Sequence, residues 1–165
     1  MRQSINSKWI ALIVVAVFLL FWLIGWYWSF APATYDVNKR VAQQTSVANP
    51  ANIAGYTLTS TMIEVSETLL DKPGGYLSND VIPPGVFLDN MPSFEFGVLE
   101  MIRDLALSMR KDFSRSQSQS IENPYLTKAH PKFNMDHRSW MFPSSESSYR
   151  DGITLLKQYR DALAD

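Results

Sequence analysis

The stretch that decides the fold is WIALIVVAVFLLFWLIGWYWSF, residues 9–30, which contains no charged side chain. At a rise of about 1.5 Å per residue, a helix from Ile10 to Phe30 spans roughly 31 Å, close to the thickness of the hydrocarbon core of a bilayer. Amphipathic aromatic rings prefer the membrane interface, and tryptophans stand at both ends of the stretch, at Trp9 and at Trp28. The stretch therefore predicts one transmembrane helix from Trp9 to Phe30, with the lipid bilayer as its partner.

The charges that flank this helix indicate its orientation. Arg2, Lys8 and the terminal amine precede the helix without an acidic residue, whereas Asp36 comes first after it, ahead of the next Lys and Arg. Because positively charged segments are retained in the cytoplasm, residues 1–8 are predicted to be a cytoplasmic tail. In a bacterium, the remainder of the chain is then expected in the periplasm, attached to the inner membrane.

Two alternatives to an uncleaved membrane anchor are open. Ala31-Pro32-Ala33 has the A-x-A form of a signal-peptidase site, although signal peptides carry a shorter apolar region of about 7–15 residues. The second alternative is a helix buried in a soluble core, which the length of the charge-free run disfavours.

The remaining composition excludes several classes of function. The chain has 165 residues, which suits one small domain plus an accessory segment, and its formal net charge is −1. A chain without cysteine has no disulfide, no thiol nucleophile and no Cys-ligated zinc or iron–sulfur cluster. The near-neutral charge argues against nucleic acid as a partner, because binding to phosphates requires clustered Lys and Arg. No cofactor is predicted.

Beyond the apolar stretch, hydrophobic periodicity predicts helices. Residues 31–55 are a predicted linker with a short polar helix over 35–47, and residues 56–165 are a predicted helical domain. The predicted fold class is therefore all-α, with a single N-terminal transmembrane helix and a small helical extramembrane domain that contains long Pro-rich loops. Three helices form only a small core, so further C-terminal sequence or a partner chain is expected to complete it.

The three helices of the domain are predicted to begin near Thr57, after Pro92 with Ser93 as N-cap, and after a cap at Ser144 or Ser145. Each has one apolar stripe. The stripes contain Leu58, Met62, Val65 and Leu69 in the first helix, Phe94, Val98, Met101, Leu105 and Met109 in the second, and Tyr149, Ile153, Leu156, Tyr159 and Leu163 in the third.

The connections between these helices carry much apolar surface. Residues 76–92 contain Pro83-Pro84-Gly85, which forbids a helix or a central strand. Residues 114–143, which begin with the frayed end of the second helix at 114–120, are predicted to be a connection broken by prolines. Apolar loops are expected to pack on the domain, either as a structural clasp or as a docking element for a partner. The predicted docking or clasp positions are Tyr76, Leu77, Val86, Phe87, Leu88 and Trp140.

Several of these strings resemble a known family. Residues 69–80 (LLDKPGGYLSND), 83–85 (PPG), 88–92 (LDNMP), 95–99 (EFGVL) and 114–120 (SRSQSQS) are similar to bacterial membrane proteins grouped as domain of unknown function 2333. The resemblance covers about two-thirds of the chain and implies an N-terminal membrane helix and a Gram-negative source. It also implies that the chain corresponds to an N-terminal half, because the members are longer. It implies no catalytic residues.

Three arrangements of residues resemble sites of chemistry. Ser108 and Lys111 fit the S-x-x-K motif of penicillin-binding proteins, but its partner motifs are missing. His130 and His137, with Asp136 and Glu122, lack a metal-ligand spacing that is typical of zinc sites. The acidic residues Glu64, Glu67 and Asp71 share one helix face, which a solvated surface explains better than glycosidase chemistry. No catalytic, cofactor-binding or metal-binding residue is predicted.

The sequence therefore favours an interaction or scaffolding component of the cell envelope, with another envelope protein or a second copy of the chain as partner. The alternative is an envelope hydrolase that acts on peptidoglycan or lipid, with a site completed by further C-terminal sequence. A pocket lined by Glu64, Asp80, Asp89 or His130 would favour the hydrolase. A third hypothesis is a subunit of a larger membrane complex, contacted through the helix Trp9–Phe30.

Overall fold

The computed structural model describes residues 7–44, 50–113 and 122–164. Within these residues the chain is helical and contains no strand, so the predicted all-α class is confirmed. The helices are α1 (Ser7–Trp28), α2 (Val37–Gln44), α3 (Tyr56–Asp71), α4 (Asn90–Ser108), α5 (Pro124–Phe133) and α6 (Ser145–Ala162). Short 3-10 turns lie at Pro50–Asn52 and Gly85–Phe87, and one π-helical turn, Met109–Phe113, follows α4.

Helix α1 stands apart from the bundle over most of its length. Its 22 residues correspond to roughly 33 Å, and it is the only helix in the described part that is long and apolar enough to cross a membrane. Leu19 and Leu20 are exposed, and within α1 only Gly25 is buried. Because α1 is not covered by the other helices, it is not the core helix of a soluble domain.

Helices α3 to α6 form the core of the domain. Helix α6 packs along α5 and against α3, and α4 contacts both α3 and α5. Leu99 of α4, Leu126 of α5 and Leu156 of α6 meet in the interior with almost no exposed surface. Most of the third predicted stripe is confirmed, because Tyr149, Ile153, Leu156 and Tyr159 are all buried. Ser144 caps α6 as predicted, since its side chain accepts a hydrogen bond from the backbone N–H of Ser147.

Gly152 allows α5 and α6 to pack closely. A Cβ atom added at this position would lie 2.9 Å from the Phe133 ring, which is closer than carbon atoms approach one another. The glycine lowers intrinsic helix propensity, but it makes room for a buried aromatic ring. The contact therefore explains a helix-weakening residue in the middle of α6.

The predicted stripe of α4 is only partly right: Met109, just after the helix, is buried, and Val98 and Leu105 pack against the core, but other members are not in it. The helix begins at Asn90 rather than after Pro92, and Ser93 is exposed and is not its cap. Phe94 and Met101, both predicted to be buried, are exposed. The buried face instead contains Met91, Glu95, Leu99, Ile102 and Ala106. Two neighbouring faces of α4 are apolar, and periodicity alone did not favour the one that includes a glutamate.

Helix α5 occupies part of the predicted connection 114–143. Asn123 caps it by accepting a hydrogen bond from the Tyr125 backbone N–H at 2.9 Å. Pro124 occupies the first helical turn, where a missing N–H breaks no hydrogen bond, and Pro131 lies in the last turn. Two of the prolines that predicted a broken chain therefore lie within a helix, in its first and last turns. The predicted fraying at 114–120 lies outside the described residues.

The segment between α1 and α3 also contacts the domain. Its helix α2 lies within the predicted polar helix over 35–47, and Val41 is buried although no burial was expected there. Arg40 of α2 forms an ion pair of 3.1 Å with Glu64 of α3. This part of the predicted linker is thus packed against the first helix of the domain.

Candidate functional site around the end of helix α1

A buried ion pair holds the beginning of the loop that follows α3. The side chains of Lys72 and Glu95 are 1% and 0% exposed and contact each other through Nζ and Oε1. Lys72 Nζ also donates hydrogen bonds to the carbonyl oxygens of Leu69 and Gly75. Burying a charge is unfavourable unless it is paired and hydrogen-bonded, and both conditions are met for this ammonium group.

The Glu95 carboxylate organises the backbone of the same loop. It accepts hydrogen bonds from the N–H groups of Leu77 at 2.8 Å and Ser78 at 2.7 Å, and also from the Ser78 hydroxyl. The carboxylate is therefore occupied by the loop and by Lys72. We call Lys72, Glu95 and Ser78 the loop anchor. Its only signal in the sequence is a glutamate near the start of an amphipathic helix.

Two predicted docking positions, Tyr76 and Leu77, belong to the core. Both are buried, and the Tyr76 ring packs edge to face on Tyr149 at 5.6 Å between ring centroids. The Tyr76 hydroxyl donates to the backbone carbonyl of His137. Burial raises the pKa of Tyr76 above its ordinary value, so the phenol stays neutral. These two residues clasp the loop to the domain and are not on its surface.

The second part of the loop packs on α1 at Gly25. A Cβ atom added to Gly25 would lie 3.5 Å from Pro84 and 3.6 Å from Leu88, so the loop lies in ordinary van der Waals contact with the helix. Leu88, a predicted docking position, is half-buried here. The predicted positions Val86 and Phe87 are exposed. An apolar groove of about 490 Å³ runs between loop and helix, lined by Phe18, Phe21, Trp22, Gly25, Trp26, Ser29, Pro84, Phe87 and Leu88.

Two further contacts fix the end of α1 on the domain. The Trp28 ring lies directly over Gly74, where an added Cβ atom would lie 2.7 Å from the ring. Gly74 has a φ of +87°, in the left-handed region that favours glycine. On the other side, Asn90 Nδ2 donates a hydrogen bond of 3.4 Å to the carbonyl of Ser29. Sequence reasoning missed Gly25, Gly74 and Trp28 as contact residues, since each is individually ordinary.

Trp140, the last predicted docking position, is exposed beside a cleft of about 350 Å³. Trp28, Trp140, Asp80 and Glu146 are among its lining residues. Partial burial raises the pKa of Asp80 above its ordinary value, the negative charges of Glu95 and Glu146 raise it further, and Lys72 opposes them. Asn79 donates to Glu146 at 2.9 Å and to the carbonyl of Ser139, which ties the segment around Trp140 to the loop.

The four residues named for a hydrolase pocket do not share any of the described pockets. Asp80 lines the cleft just described, whereas Asp89 is exposed at the start of α4. Glu64 pairs with Arg40. His130 lies 3.2 Å from Arg110 and 3.0 Å from Asn134, and its pKa is lowered by burial and by the charges of Arg110 and Lys111. The hydrolase alternative stays a prediction, which turnover of cell-wall fragments would test.

The other acidic and motif residues have local partners. Glu67 pairs with Lys157 at 2.6 Å, and Asp71 pairs with Arg150 at 2.7 Å. The Ser108 hydroxyl of the S-x-x-K match donates to Asp112. Across residues 7–44, 50–113 and 122–164, no cluster of three His, Cys, Asp or Glu side chains is arranged to hold a metal ion.

Comparison with known families identifies the chain by its full pattern of residues. The model of the family described as an uncharacterized protein conserved in bacteria, domain of unknown function 2333, matches residues 2–165. The chain belongs to this family. The match confirms the resemblance seen in the loop strings and extends it over α1 and α6. No curated protein and no solved structure matches the chain.

Proposed function

We propose that the chain is a single-pass protein of the bacterial inner membrane, in which α1 anchors a periplasmic helical domain and residues 1–8 lie in the cytoplasm. The observation that carries this proposal is the exposure of α1, whose apolar side chains face outward along the helix while its C-terminal end packs on the domain. Such side chains are favourable in hydrocarbon and unfavourable in water. Lys8 next to the helix supports the orientation.

Single-cysteine labelling tests the topology, because the natural chain contains no cysteine. The variants are Ser147→Cys, on the exposed surface of α6, and Ser4→Cys, ahead of α1. A membrane-impermeant maleimide is expected to label Ser147→Cys in intact spheroplasts and Ser4→Cys only after lysis. The reverse pattern would contradict the orientation. Loss of the Ser4→Cys label from the mature protein would show that the segment is a cleaved signal peptide.

We further propose that the domain is an interaction or scaffolding component of the envelope and that a protein partner binds the groove between α3 and α4. This groove, of about 450 Å³, has an apolar centre of Leu58, Val65, Met101 and Leu105. Met101 is 71% exposed, although it lies on a well-formed helix. Apolar centres with a polar rim are typical of protein interfaces, and Asp104 and Ser108 stand at the rim. An amphipathic helix of another envelope protein fits such a groove.

A photo-crosslinking amino acid at position 101, introduced in the full chain in its native host, tests this surface. A discrete product with one other polypeptide is expected, because the side chain lies at the centre of the groove. The matched control is the same amino acid at Gln158, on the exposed face of α6. A product that contains two copies of this chain would make it a homo-oligomer. Equal, diffuse cross-linking at both positions would contradict the proposed interface.

A further inference from the structure

Apart from Met101, the most exposed apolar side chains of the described domain lie in two segments that meet at a cleft beside Trp28. Phe87 is 79% exposed, Ile82 is 71% exposed, and Phe142 is fully exposed. The segments that carry them, residues 81–88 (VIPPGVFL) and 140–142 (WMF), contain no charged side chain. Water-exposed loops seldom present apolar side chains at this density, and a contiguous apolar patch marks a contact surface.

Residues 81–88 lie alongside α1 and not beyond its end, while Trp140 lines a cleft with Trp28 at the end of α1. Phe87 lines the same groove as Trp22, and Leu88 packs at Gly25. Gly25 precedes Trp28, the last residue of α1, by three residues, which corresponds to about 4.5 Å of helix, and the apolar run continues to Phe30. The loop therefore contacts α1 at a depth that lies within the apolar run.

The backbone of residues 86–88 suits this depth. The N–H groups of Val86, Phe87 and Leu88 donate to the carbonyls of Ile82, Pro84 and Gly85, respectively. Pro83 and Pro84 have no N–H group to satisfy. Lipid offers no hydrogen-bond partners, so backbone at membrane depth must satisfy its donors internally.

We propose that residues 81–88 and 140–142 form a second membrane contact, in which their apolar side chains insert beside α1 into the boundary between headgroups and acyl chains. The proposal rests on the membrane-spanning role proposed for α1. Lipid is favoured over a protein partner because the surface is continuous with the exposed apolar surface of α1. Trp28 and Trp140, which line one cleft, are the kind of amphipathic ring that occupies the interface. These two segments then hold the domain against the bilayer surface next to α1.

Depth-dependent quenching of a fluorescent probe tests the contact in the full chain. A polarity-sensitive fluorophore is attached to single cysteines introduced as Phe87→Cys, Phe142→Cys and Met101→Cys. Each protein is reconstituted as one copy per nanodisc, with and without nitroxide-labelled lipids. Met101 is the matched control, because it is similarly exposed but lies in the α3–α4 groove. Lipid quenching at positions 87 and 142 is expected to be several-fold stronger than at position 101, with iodide in the water giving the opposite order.

A probe at Leu20→Cys in the middle of α1 separates this inference from the topology on which it rests. Strong lipid quenching at position 20 together with water-like behaviour at positions 87 and 142 would overturn the second contact alone. A water-exposed probe at position 20 would overturn the proposed membrane span as well. If position 87 were quenched by neither lipid nor iodide, it would be covered by protein, and the lipid contact would be wrong.

Discussion

Residues 76–79 (YLSN) and residues 81–88 (VIPPGVFL) are neighbouring parts of one loop that differ in burial, and the less apolar part is the buried one. Tyr76 and Leu77 are buried, whereas Ile82 and Phe87 face outward next to α1. The first part is held by the Glu95 carboxylate, which accepts its backbone N–H groups, while the second satisfies donors within itself. Hydrogen bonds to the rest of the domain, and not apolar content, therefore determine which part of this loop is buried in the core.

Removing the negative charge of Glu95 from the loop anchor is expected to cause the largest loss of stability. Glu95→Gln should lower the free energy of unfolding by about 3 to 5 kcal/mol, because Lys72 then remains buried without a counter-charge. Chemical denaturation of the full chain in detergent, monitored by circular dichroism, measures this free energy of unfolding. The control is Glu100→Gln on the same helix, which breaks an exposed pair with Arg103 and should change the value by less than about 1 kcal/mol. Equal losses would mean that the anchor does not hold the loop.

Truncating one apolar side chain in each part of the loop measures how much each part contributes to stability. Leu77→Ala should lower the free energy of unfolding by about 2 to 5 kcal/mol, because it leaves a cavity in the core. Phe87→Ala removes a larger side chain, but one that packs little, and should stay within about 0.5 kcal/mol in detergent. A loss at Phe87 as large as that at Leu77 would show that both parts of the loop belong to one core.

The contact of the loop with α1 is tested at a pair of adjacent glycines. Gly74 and Gly75 both have positive φ, so alanine at either introduces backbone strain of about 1 to 3 kcal/mol. Only Gly74→Ala also drives a methyl group into the Trp28 ring, so it should be the more destabilising of the two, by about 1 kcal/mol. Thermal unfolding of both variants under identical conditions gives the difference. Equal midpoints would mean that the contact between Trp28 and Gly74 contributes nothing.

Asp80 lies between the two parts of the loop. Its replacement should change the stability of the protein least, and should raise it rather than lower it. Because its folded-state pKa is raised above 3.8, the wild type loses stability as the pH rises through the interval between the two values. Asp80→Asn does not titrate and should therefore be more stable than the wild type at neutral pH, with the gain vanishing in acid. The midpoint of thermal unfolding measured at several pH values checks this. A gain that persisted below the unfolded-state pKa would assign the effect to a cause other than charge.

The helices of this protein were predictable to different degrees for identifiable reasons. The third predicted helix was found because Ser144 and the Tyr149 stripe agree with one another. Helix α5 was missed because Pro124 and Pro131 were interpreted as breaks, although their positions within a helix decide whether they are compatible with it. The α4 stripe was right for Val98, Leu105 and Met109 but wrong for Phe94 and Met101. The buried face includes Glu95, and the partner that makes Glu95 compatible with burial lies on a distant segment.

For the candidate site, the sequence indicated the right loop but not the role of each residue. Val86, Phe87 and Trp140 are exposed, whereas Tyr76 and Leu77 are part of the core. All five side chains are apolar or aromatic. The buried pair differs because Glu95 of α4 binds the backbone N–H groups of its segment. The contacts of α1 with Gly74 and Pro84 likewise could not be predicted from the sequence, because they join segments far apart in the chain.

The sequence by itself determined the apolar helix α1, the all-α class and the membership of the family. The helix follows from local chemistry, because transfer free energy adds up side chain by side chain along a continuous run. The family follows from the pattern of residues over 2–165. The tertiary structure alone decided which half of the loop is buried, which face of α4 is the core, and where the domain touches α1. These outcomes depend on pairs of groups distant in sequence, and a buried charge such as Glu95 is compatible with the core only when folding brings Lys72 to it.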